Sequence, residues 1–216
     1  MIKSITSSIR TAKIASLFLA LLLTAGIFTE GTAAAGSPQD TVRSFYETLL
    51  ATMKDGRALG QSGRDARLAP VVNRTFDLPF MARLAVGPSW AMLTSAQQQQ
   101  VTGAFAHYVS ATYADRFDSY SGEQLQVIGE QPYGSDVLVQ TTIVDSKGEP
   151  TTLNYLMRQN QGVWQISDVY LDGTISQLAV QRSEFHSILR RDGVDGLVMA
   201  LNRKVDLLGK GVAKAS

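Results

Sequence analysis

The sequence predicts an α+β domain in which a four-stranded antiparallel meander sheet is preceded and followed by helices. Four consecutive stretches, at about 124–131, 135–145, 149–159 and 162–171, alternate apolar and polar residues with the period of a half-buried strand. Before and after them, apolar residues recur every three to four positions, which is the spacing of amphipathic helices. We expect the helices to pack on one face of the sheet.

The N-terminal segment has the three-part pattern of a secretory signal peptide. A basic start precedes the apolar run 14–28, and Ala33 and Ala35 then fit a cleavage site of the A-x-A type. The run is shorter than the roughly twenty residues that span a bilayer, so we expect cleavage rather than an uncleaved anchor. We therefore expect residues 1–35 to be a signal peptide and residues 36–216 to form a single domain.

Composition and charge are typical of an exported protein with a neutral surface. The chain has no cysteine, so no disulfide forms and the fold depends on its apolar core. It has 20 basic and 19 acidic residues, of which the expected signal segment takes three and one, so the mature net charge is −1. This balance gives no general electrostatic reason to bind nucleic acid. The signal and the absence of cysteine together predict a bacterial periplasmic location.

The first helix is expected to begin at 37–38, where serine caps the helix and proline occupies its first position. An apolar stripe follows over 42–53. Gly56, Gly60 and Gly63 then predict a loop.

The stretch 64–93 predicts short helices, because Pro70, Pro79 and Gly87-Pro88 interrupt it. A long helix is then expected to begin at a capping box formed by 94–97.

After the sheet, two helices are expected at about 175–190 and 194–208. A second capping box, 174–177, is expected to start the first of them.

Asp168 and Asp172, at the end of the fourth stretch, raise the question of a catalytic carboxylate pair. Positions four apart on a strand are separated by about 13 Å, whereas glycosidase pairs are about 5–9.5 Å apart. Asp172 also precedes Gly173, which is the chemistry of a tight turn. We therefore expect Asp172 to form the turn.

Asp168 is expected to be structural. Because apolar residues occur on both faces of its strand, either both faces are covered or a bulge near Asp168 exchanges them. A buried carboxylate needs a partner, and Arg182 or Arg158 is the expected one.

No other pattern favours catalysis. The chain has no cysteine nucleophile, no G-x-S-x-G elbow and no G-x-G-x-x-G phosphate loop. His107 and His186 lie on separate predicted helices without metal-site spacing. We expect no catalytic residue, no metal site and no cofactor, and hence a protein that is not an enzyme.

The apolar face of the predicted sheet is the candidate ligand-binding surface. An apolar sheet face covered by helices is either an ordinary core or the lining of a cavity for a hydrophobic ligand. Periodicity alone does not distinguish these two. The residues expected to line such a cavity are Val137, Val139, Ile143, Leu153, Tyr155, Met157, Trp164 and Ile166.

Three segments resemble the MlaC family, whose members are also called toluene-tolerance proteins. They are FDLPFMARLAVGPSW (76–90), YADRFDSYSGE (113–123) and the long segment 154–201, which includes GVWQISDVYLDGTISQ. The resemblance covers essentially the whole mature chain. The versions LPFMARLAVGPSW and GTISQLA are most similar to the hopanoid-associated HpnM branch of this family.

The resemblance implies a periplasmic lipid-binding shuttle that serves an ABC transporter. It implies that the helices and the sheet enclose an apolar pocket, with a phospholipid or a hopanoid-type lipid as ligand. The implied protein partners are an inner-membrane transporter complex, with an outer-membrane partner as a further candidate. Two alternatives remain open. One is a lyase or hydrolase that uses Asp168 on a hydrophobic substrate in the same pocket, and the other is a ligand-free interaction module of a membrane complex.

Overall fold

The computed structural model describes residues 36–210, so the expected signal peptide lies outside the described residues. The α-helices are α1 (Pro38–Lys54), α2 (Gly56–Thr75), α3 (Leu78–Val86), α4 (Ser95–Arg116) and α5 (Gln177–Gly209), and a 3-10 helix, Gly87–Met92, connects α3 to α4. The strands are β1 (Gln124–Tyr133), β2 (Asp136–Val144), β3 (Pro150–Asn160), β4 (Val163–Leu171) and β5 (Ile175–Ser176).

The strands form one antiparallel sheet in chain order. The predicted α+β class and meander are confirmed. The fifth strand was not predicted, because β5 has only two residues and shows no alternation. Between β4 and β5, Asp172 and Gly173 adopt φ of 52° and 75°. Positive φ at both central positions is typical of a type I′ hairpin turn, which confirms the turn role of Asp172.

Two of the three predicted helix starts are confirmed. Ser37 and Thr94 each cap a helix by accepting a hydrogen bond from the backbone N–H three residues later. The predicted capping box at 174–177 is wrong, because the hairpin turn and β5 occupy its first residues. Ser176 caps α5 instead and accepts a hydrogen bond from the Ala179 N–H at 2.9 Å.

The predicted loop after α1 is wrong, because this segment is helical. α2 begins at Gly56, where a β-carbon would lie 2.1 Å from the carbonyl oxygen of Asp118. Close backbone approach therefore explains this glycine. Gly60 adopts φ 61° and ψ −179°, which are not helical, so α2 consists of two helical segments that meet at this residue. The predicted break at Pro70 is also wrong: Pro70 and Ala66, whose carbonyl loses its donor, are both exposed, so the helix continues through the proline.

α5 consists of two helical halves that lie side by side. Gly193 interrupts the helix with φ 69° and ψ −165°. Lys204 Nζ lies 2.6 Å from Glu184 Oε2, although twenty residues of straight helix span about 30 Å. The chain therefore reverses at Gly193, in agreement with the two C-terminal helices that the sequence predicts.

The core lies between α1, α2, α4 and the inner face of the sheet. The ring centroid of Phe45 on α1 lies 5.4 Å from that of Phe76 and 5.1 Å from that of Tyr113, and both pairs of rings are edge to face. Tyr46 and Tyr155, with ring centroids 5.8 Å apart, join α1 to β3. Contacts of this geometry are favourable beyond the area that they bury. Phe76 and Tyr113 of this aromatic cluster also face the open space under the sheet.

Candidate functional site

A cavity of about 380 Å³ lies between the inner face of the sheet and helices α4 and α5. This volume falls within the range typical of small-molecule sites, about 300–1,000 Å³. The sheet wall of the cavity is mostly apolar. It is formed by Ile143, Thr151, Leu153, Val169 and Leu171.

Helix α4 contributes two adjacent rows of side chains to the lining. Residues four apart on a helix lie one turn above another on the same face. The first row is apolar or aromatic and consists of Phe105, Val109, Tyr113 and Phe117. The second row is polar and consists of Tyr108, Thr112 and Arg116. The α4 wall is therefore apolar on one side and polar on the other.

Helix α5 extends the polar row. It places Gln177 and Gln181 in the lining, and the Gln181 amide nitrogen lies 3.4 Å from the Tyr108 hydroxyl. The ring centroids of Phe105 and Phe185 lie 5.9 Å apart. Because Phe105 precedes Tyr108 in the chain whereas Phe185 follows Gln181, these two contacts show that α4 and the first half of α5 run antiparallel. We refer to Tyr108, Thr112, Arg116, Gln177 and Gln181 together as the polar seam.

Two buried polar atoms, Gln181 Oε1 and the Tyr155 hydroxyl, have no hydrogen-bond partner in the described part of the chain. The Tyr46 hydroxyl, in contrast, lies 2.7 Å from Thr141 Oγ1. Burial raises the pKa of Tyr46 to about 12 and raises the pKa values of Tyr113 and Tyr155 still further. These hydroxyls therefore stay protonated at neutral pH and do not serve as general bases.

The structure places the eight predicted lining residues in three settings. Ile143 and Leu153 line the cavity. Val137 and Trp164 are partly buried and pack against the core. The remaining four are fully buried core residues at 0% exposure: Val139, Tyr155, Met157 and Ile166. A lipid contact remains a prediction for all eight.

Most of the cavity wall was missed because it belongs to helices. The apolar stripe of α4 predicts a helix with a buried face, but a core and a cavity wall give the same stripe. The available signal was the polar row Tyr108, Thr112 and Arg116, which lies beside the row that begins at Phe105. This row does not separate the two cases, because an amphipathic helix packed on an ordinary core also has polar side chains beside its apolar row.

Asp168 accepts a hydrogen bond from the first turn of α5 and is not among the residues that line the cavity. Its Oδ1 accepts hydrogen bonds from the Val169 N–H at 2.7 Å and the Leu178 N–H at 3.0 Å. Ser176 Oγ donates to Oδ2 at 2.5 Å. A register shift opposite Ser167 marks a bulge in β4, which is one of the two arrangements that the sequence left open.

The predicted arginine partner of Asp168 is wrong. Arg158 pairs with Asp77, and its guanidinium lies 4.1 Å from the centroid of the Phe80 ring. Arg182 is exposed. The first N–H groups of a helix carry partial positive charge, so the start of α5 stabilises the Asp168 carboxylate without a cation.

Asp65, His107 and Ser110 bring together the three side chains of a catalytic triad, but in the wrong order. Asp65 Oδ2 lies 3.1 Å from His107 Nε2, and Ser110 Oγ donates to Asp65 Oδ1 at 2.6 Å. In a triad the serine hydroxyl bonds to the histidine. This cluster therefore links α2 to α4 without activating a nucleophile. Residues 36–210 contain no group of three or more histidine, cysteine or acidic side chains placed to hold a metal ion.

Comparison with known proteins identifies the family of this chain. A structurally similar protein is the phospholipid-binding protein from Ralstonia solanacearum, whose structure was solved in complex with a phospholipid. The two share 24% sequence identity with a TM-score of 0.68, and the match covers 80% of this chain and 99% of the other, which shows a common fold. The family model described as MlaC protein matches residues 43–203. Because this match spans well over half of the sequence, the chain belongs to the MlaC family.

Proposed function

We propose that this protein is a periplasmic carrier that holds the acyl part of a phospholipid in the cavity between the sheet and helices α4 and α5. The cavity carries this proposal, because it joins an apolar sheet wall to the apolar row of α4. Membership of the MlaC family supports it. The fold shared with the phospholipid-binding protein from Ralstonia solanacearum supports phospholipid as the cargo.

The cavity is large enough for hydrophobic binding to be favourable. A group the size of water occupies about 30 Å³ of liquid, so a volume of about 380 Å³ holds roughly a dozen methylene-sized groups. Burying each methylene contributes about 0.8 kcal/mol, so the gross contribution is on the order of 10 kcal/mol. Part of this offsets the loss of freedom on binding. This volume suits one acyl chain.

Export and membrane-bound partners belong to the same proposal. The basic start, the apolar run and the small residues before Gly36 support cleavage of a signal peptide and release into the periplasm. Within residues 36–210, no helix combines the length and apolar character needed to cross a membrane. The carrier would exchange lipid with an inner-membrane transporter complex and an outer-membrane partner.

A hopanoid-type lipid is the second candidate cargo. The segments 78–90 and 173–179 favour it, because they are most similar to the HpnM branch. Hopanoids are rigid and polycyclic, so they would fill the same apolar space without separate chains.

Binding without catalysis is favoured by the chemistry of the cavity wall. The titratable residues among those that line it are Tyr108, Tyr113 and Arg116. Hydrolases and lyases commonly use a carboxylate, a histidine or an activated nucleophile. The Asp168 carboxylate, which the enzyme alternative requires, bonds instead to the first turn of α5.

A lipid-uptake assay tests the proposal. Delipidated protein is mixed with vesicles that contain phosphatidylglycerol, phosphatidylcholine and a hopanoid alcohol, and the lipid that leaves with the protein is identified. We expect the protein to extract phospholipid. Val109→Trp should block uptake because Val109 lines the cavity. Met199→Trp, at a residue that is 66% exposed, should not. Extraction of the hopanoid alone would favour the second cargo, and equal uptake by both variants would contradict binding in this cavity.

A further inference from the structure

The polar seam is unexpected in a cavity that only holds hydrocarbon. Tyr108, Thr112 and Arg116 of α4 and Gln177 and Gln181 of α5 all line it. Polar groups that face apolar ligand atoms lose hydrogen bonds to water, which costs free energy unless the ligand replaces them. Thr112 Oγ1 already donates to the Tyr108 carbonyl oxygen at 2.7 Å, and Gln177 Nε2 to the Ile175 carbonyl oxygen at 3.2 Å. The need for polar partners on the ligand therefore falls on Gln181 and Arg116.

Gln181 lacks one of its hydrogen bonds. Its Oε1 is buried without a partner in the described residues, while its amide nitrogen lies 3.4 Å from the Tyr108 hydroxyl. Rotating the amide by half a turn lets Oε1 accept from Tyr108 and turns the NH₂ group towards a new acceptor. A lipid ester carbonyl is an acceptor without a proton to donate, so it suits this NH₂ group.

Arg116 is the cation of the seam, and it forms no ion pair within the described residues. Lys204 also lies near the seam, 5.2 Å from the centroid of the Tyr108 ring. However, Lys204 pairs with Glu184 at 2.6 Å. The charge of Arg116 is therefore available to an anionic ligand.

The start of α5 is not an alternative anion site. Its N–H groups would attract a phosphate, but the Asp168 carboxylate already accepts from the Leu178 N–H at 3.0 Å. A phosphate placed there would meet a buried carboxylate. An anionic group at this cavity is therefore directed to Arg116, which is exposed at the C-terminal end of α4.

Resting on the proposed carrier function, we propose that the polar seam is a headgroup site for ester-linked anionic phospholipids. Arg116 donates to the phosphate, and Gln181 donates to an ester carbonyl. About 12 Å separate the Cα atoms of Arg116 and Tyr108 along α4. Helical side chains lean towards the helix N-terminus, which from Arg116 is the direction of Tyr108 and its neighbour Gln181. A neutral hopanoid offers neither group, so this site selects phospholipid.

The experiment compares four probes on delipidated wild-type protein and on variants. The probes are a dioleoyl phosphatidylglycerol, the dioleoylglycerol that lacks the phosphate, the diether analogue that lacks the ester carbonyls, and inorganic phosphate. The variants are Arg116→Gln and Gln181→Leu. Arg190→Gln is the matched control, because Arg190 is an exposed arginine outside the cavity lining.

Each variant should lose affinity for one feature of the lipid. Arg116→Gln should weaken phosphatidylglycerol binding about fivefold, as expected for an exposed ion pair, and leave dioleoylglycerol binding unchanged. Gln181→Leu should weaken ester-lipid binding about fivefold and leave diether binding unchanged. Arg190→Gln should bind all lipid probes like the wild type. Inorganic phosphate should not compete.

Different results would overturn the headgroup site and the carrier function. Wild-type protein that binds phosphatidylglycerol and dioleoylglycerol equally, with Arg116→Gln unchanged, would overturn the headgroup site and leave the carrier intact. Competition by inorganic phosphate would make Arg116 a site for free anions and overturn its assignment to the lipid. Wild-type protein that binds none of the lipids would refute the carrier itself. Arg116 is exposed, so its variant keeps the test valid even where Gln181→Leu fails to fold.

Discussion

The Leu178 N–H donates to Asp168 Oδ1 at 3.0 Å, which fastens β4 to the first turn of α5. Leu178 lines the cavity, as does Val169, whose N–H bonds to the same oxygen at 2.7 Å. One buried carboxylate thus holds the sheet wall and the α5 wall in fixed positions. The sequence left both a catalytic and a structural role open for Asp168, and these hydrogen bonds to the backbone favour the structural role.

Removal of this carboxylate should destabilise the fold. Asp168→Ala leaves the buried N–H groups of Val169 and Leu178 without an acceptor, so we expect a loss of about 2 kcal/mol in the free energy of unfolding. Asp172→Asn is the control, because asparagine also suits a turn with positive φ. Urea unfolding of both variants measures the difference. Normal stability in Asp168→Ala would contradict the structural role of this carboxylate.

Truncating a side chain in the wall of the cavity should lower the free energy of unfolding less than truncating one in the filled core. Leu153 lines the cavity, whereas Leu197 is fully buried at 0% exposure. Leu197→Ala should cost about 2–5 kcal/mol, and Leu153→Ala nearer 1 kcal/mol in delipidated protein, because fewer contacts are lost at a wall that already faces open space. Denaturant unfolding gives both values. Equal large losses would indicate that Leu153 belongs to a filled core.

Lipid should also stabilise the wild type. A ligand at a hundredfold excess over its Kd contributes about 2.7 kcal/mol to folding, and Leu153→Ala should lose part of this gain. Unfolding of delipidated and phosphatidylglycerol-loaded protein measures it. No lipid-dependent shift in either protein would argue against binding in the cavity.

High pH should destabilise the aromatic cluster. Burial raises the pKa of Tyr46 to about 12 in the folded protein, while the unfolded value is about 10. Above pH 10 the unfolded chain loses this proton first, so stability falls by about 2–3 kcal/mol between pH 10 and 12. Tyr46→Phe should make that fall shallower. An identical slope of stability against pH in the variant would show that Tyr46 does not contribute.

The reversal in α5 should depend on glycine at position 193. Gly193 has φ 69°, and a β-carbon there would meet no atom within 4 Å. Gly193→Ala should therefore cost about 1–2 kcal/mol through backbone strain alone. Gly103, in the middle of α4, also has open space around it but no positive φ. Gly103→Ala should instead stabilise by about 0.5–1 kcal/mol. If thermal unfolding shows that both substitutions change the stability in the same direction, the strain argument is refuted.

The strands were predictable because their alternation is a local property, as in Val137, Val139 and Ile143 of β2. The helical structure of segment 56–63 was not predictable, because its glycines locally favour a loop. Arg64 overrides this preference by donating to the carbonyl oxygens of Ala114 at 2.7 Å and Gly56 at 2.8 Å. Such contacts link residues far apart in the chain and leave no local pattern.

The site was less predictable than the fold. Tyr155 and Leu153 share one face of β3, yet Tyr155 is buried in the core and Leu153 lines the cavity. The difference arises because the aromatic cluster around Phe45 fills the space under the sheet at Tyr155 but not at Leu153. Periodicity does not encode how far this filling extends. The bond between Asp168 and the Leu178 N–H was also hidden, because a backbone donor has no sequence signature.

Native mass spectrometry of the protein purified from the periplasm tests the central claim most directly. We expect the mature chain to carry the added mass of one phospholipid, which solvent extraction removes and incubation with phospholipid vesicles restores. Val109→Trp, which fills the cavity from α4, should carry none, while Met199→Trp should match the wild type. A wild-type protein that is isolated without lipid and takes up none from vesicles would contradict the account.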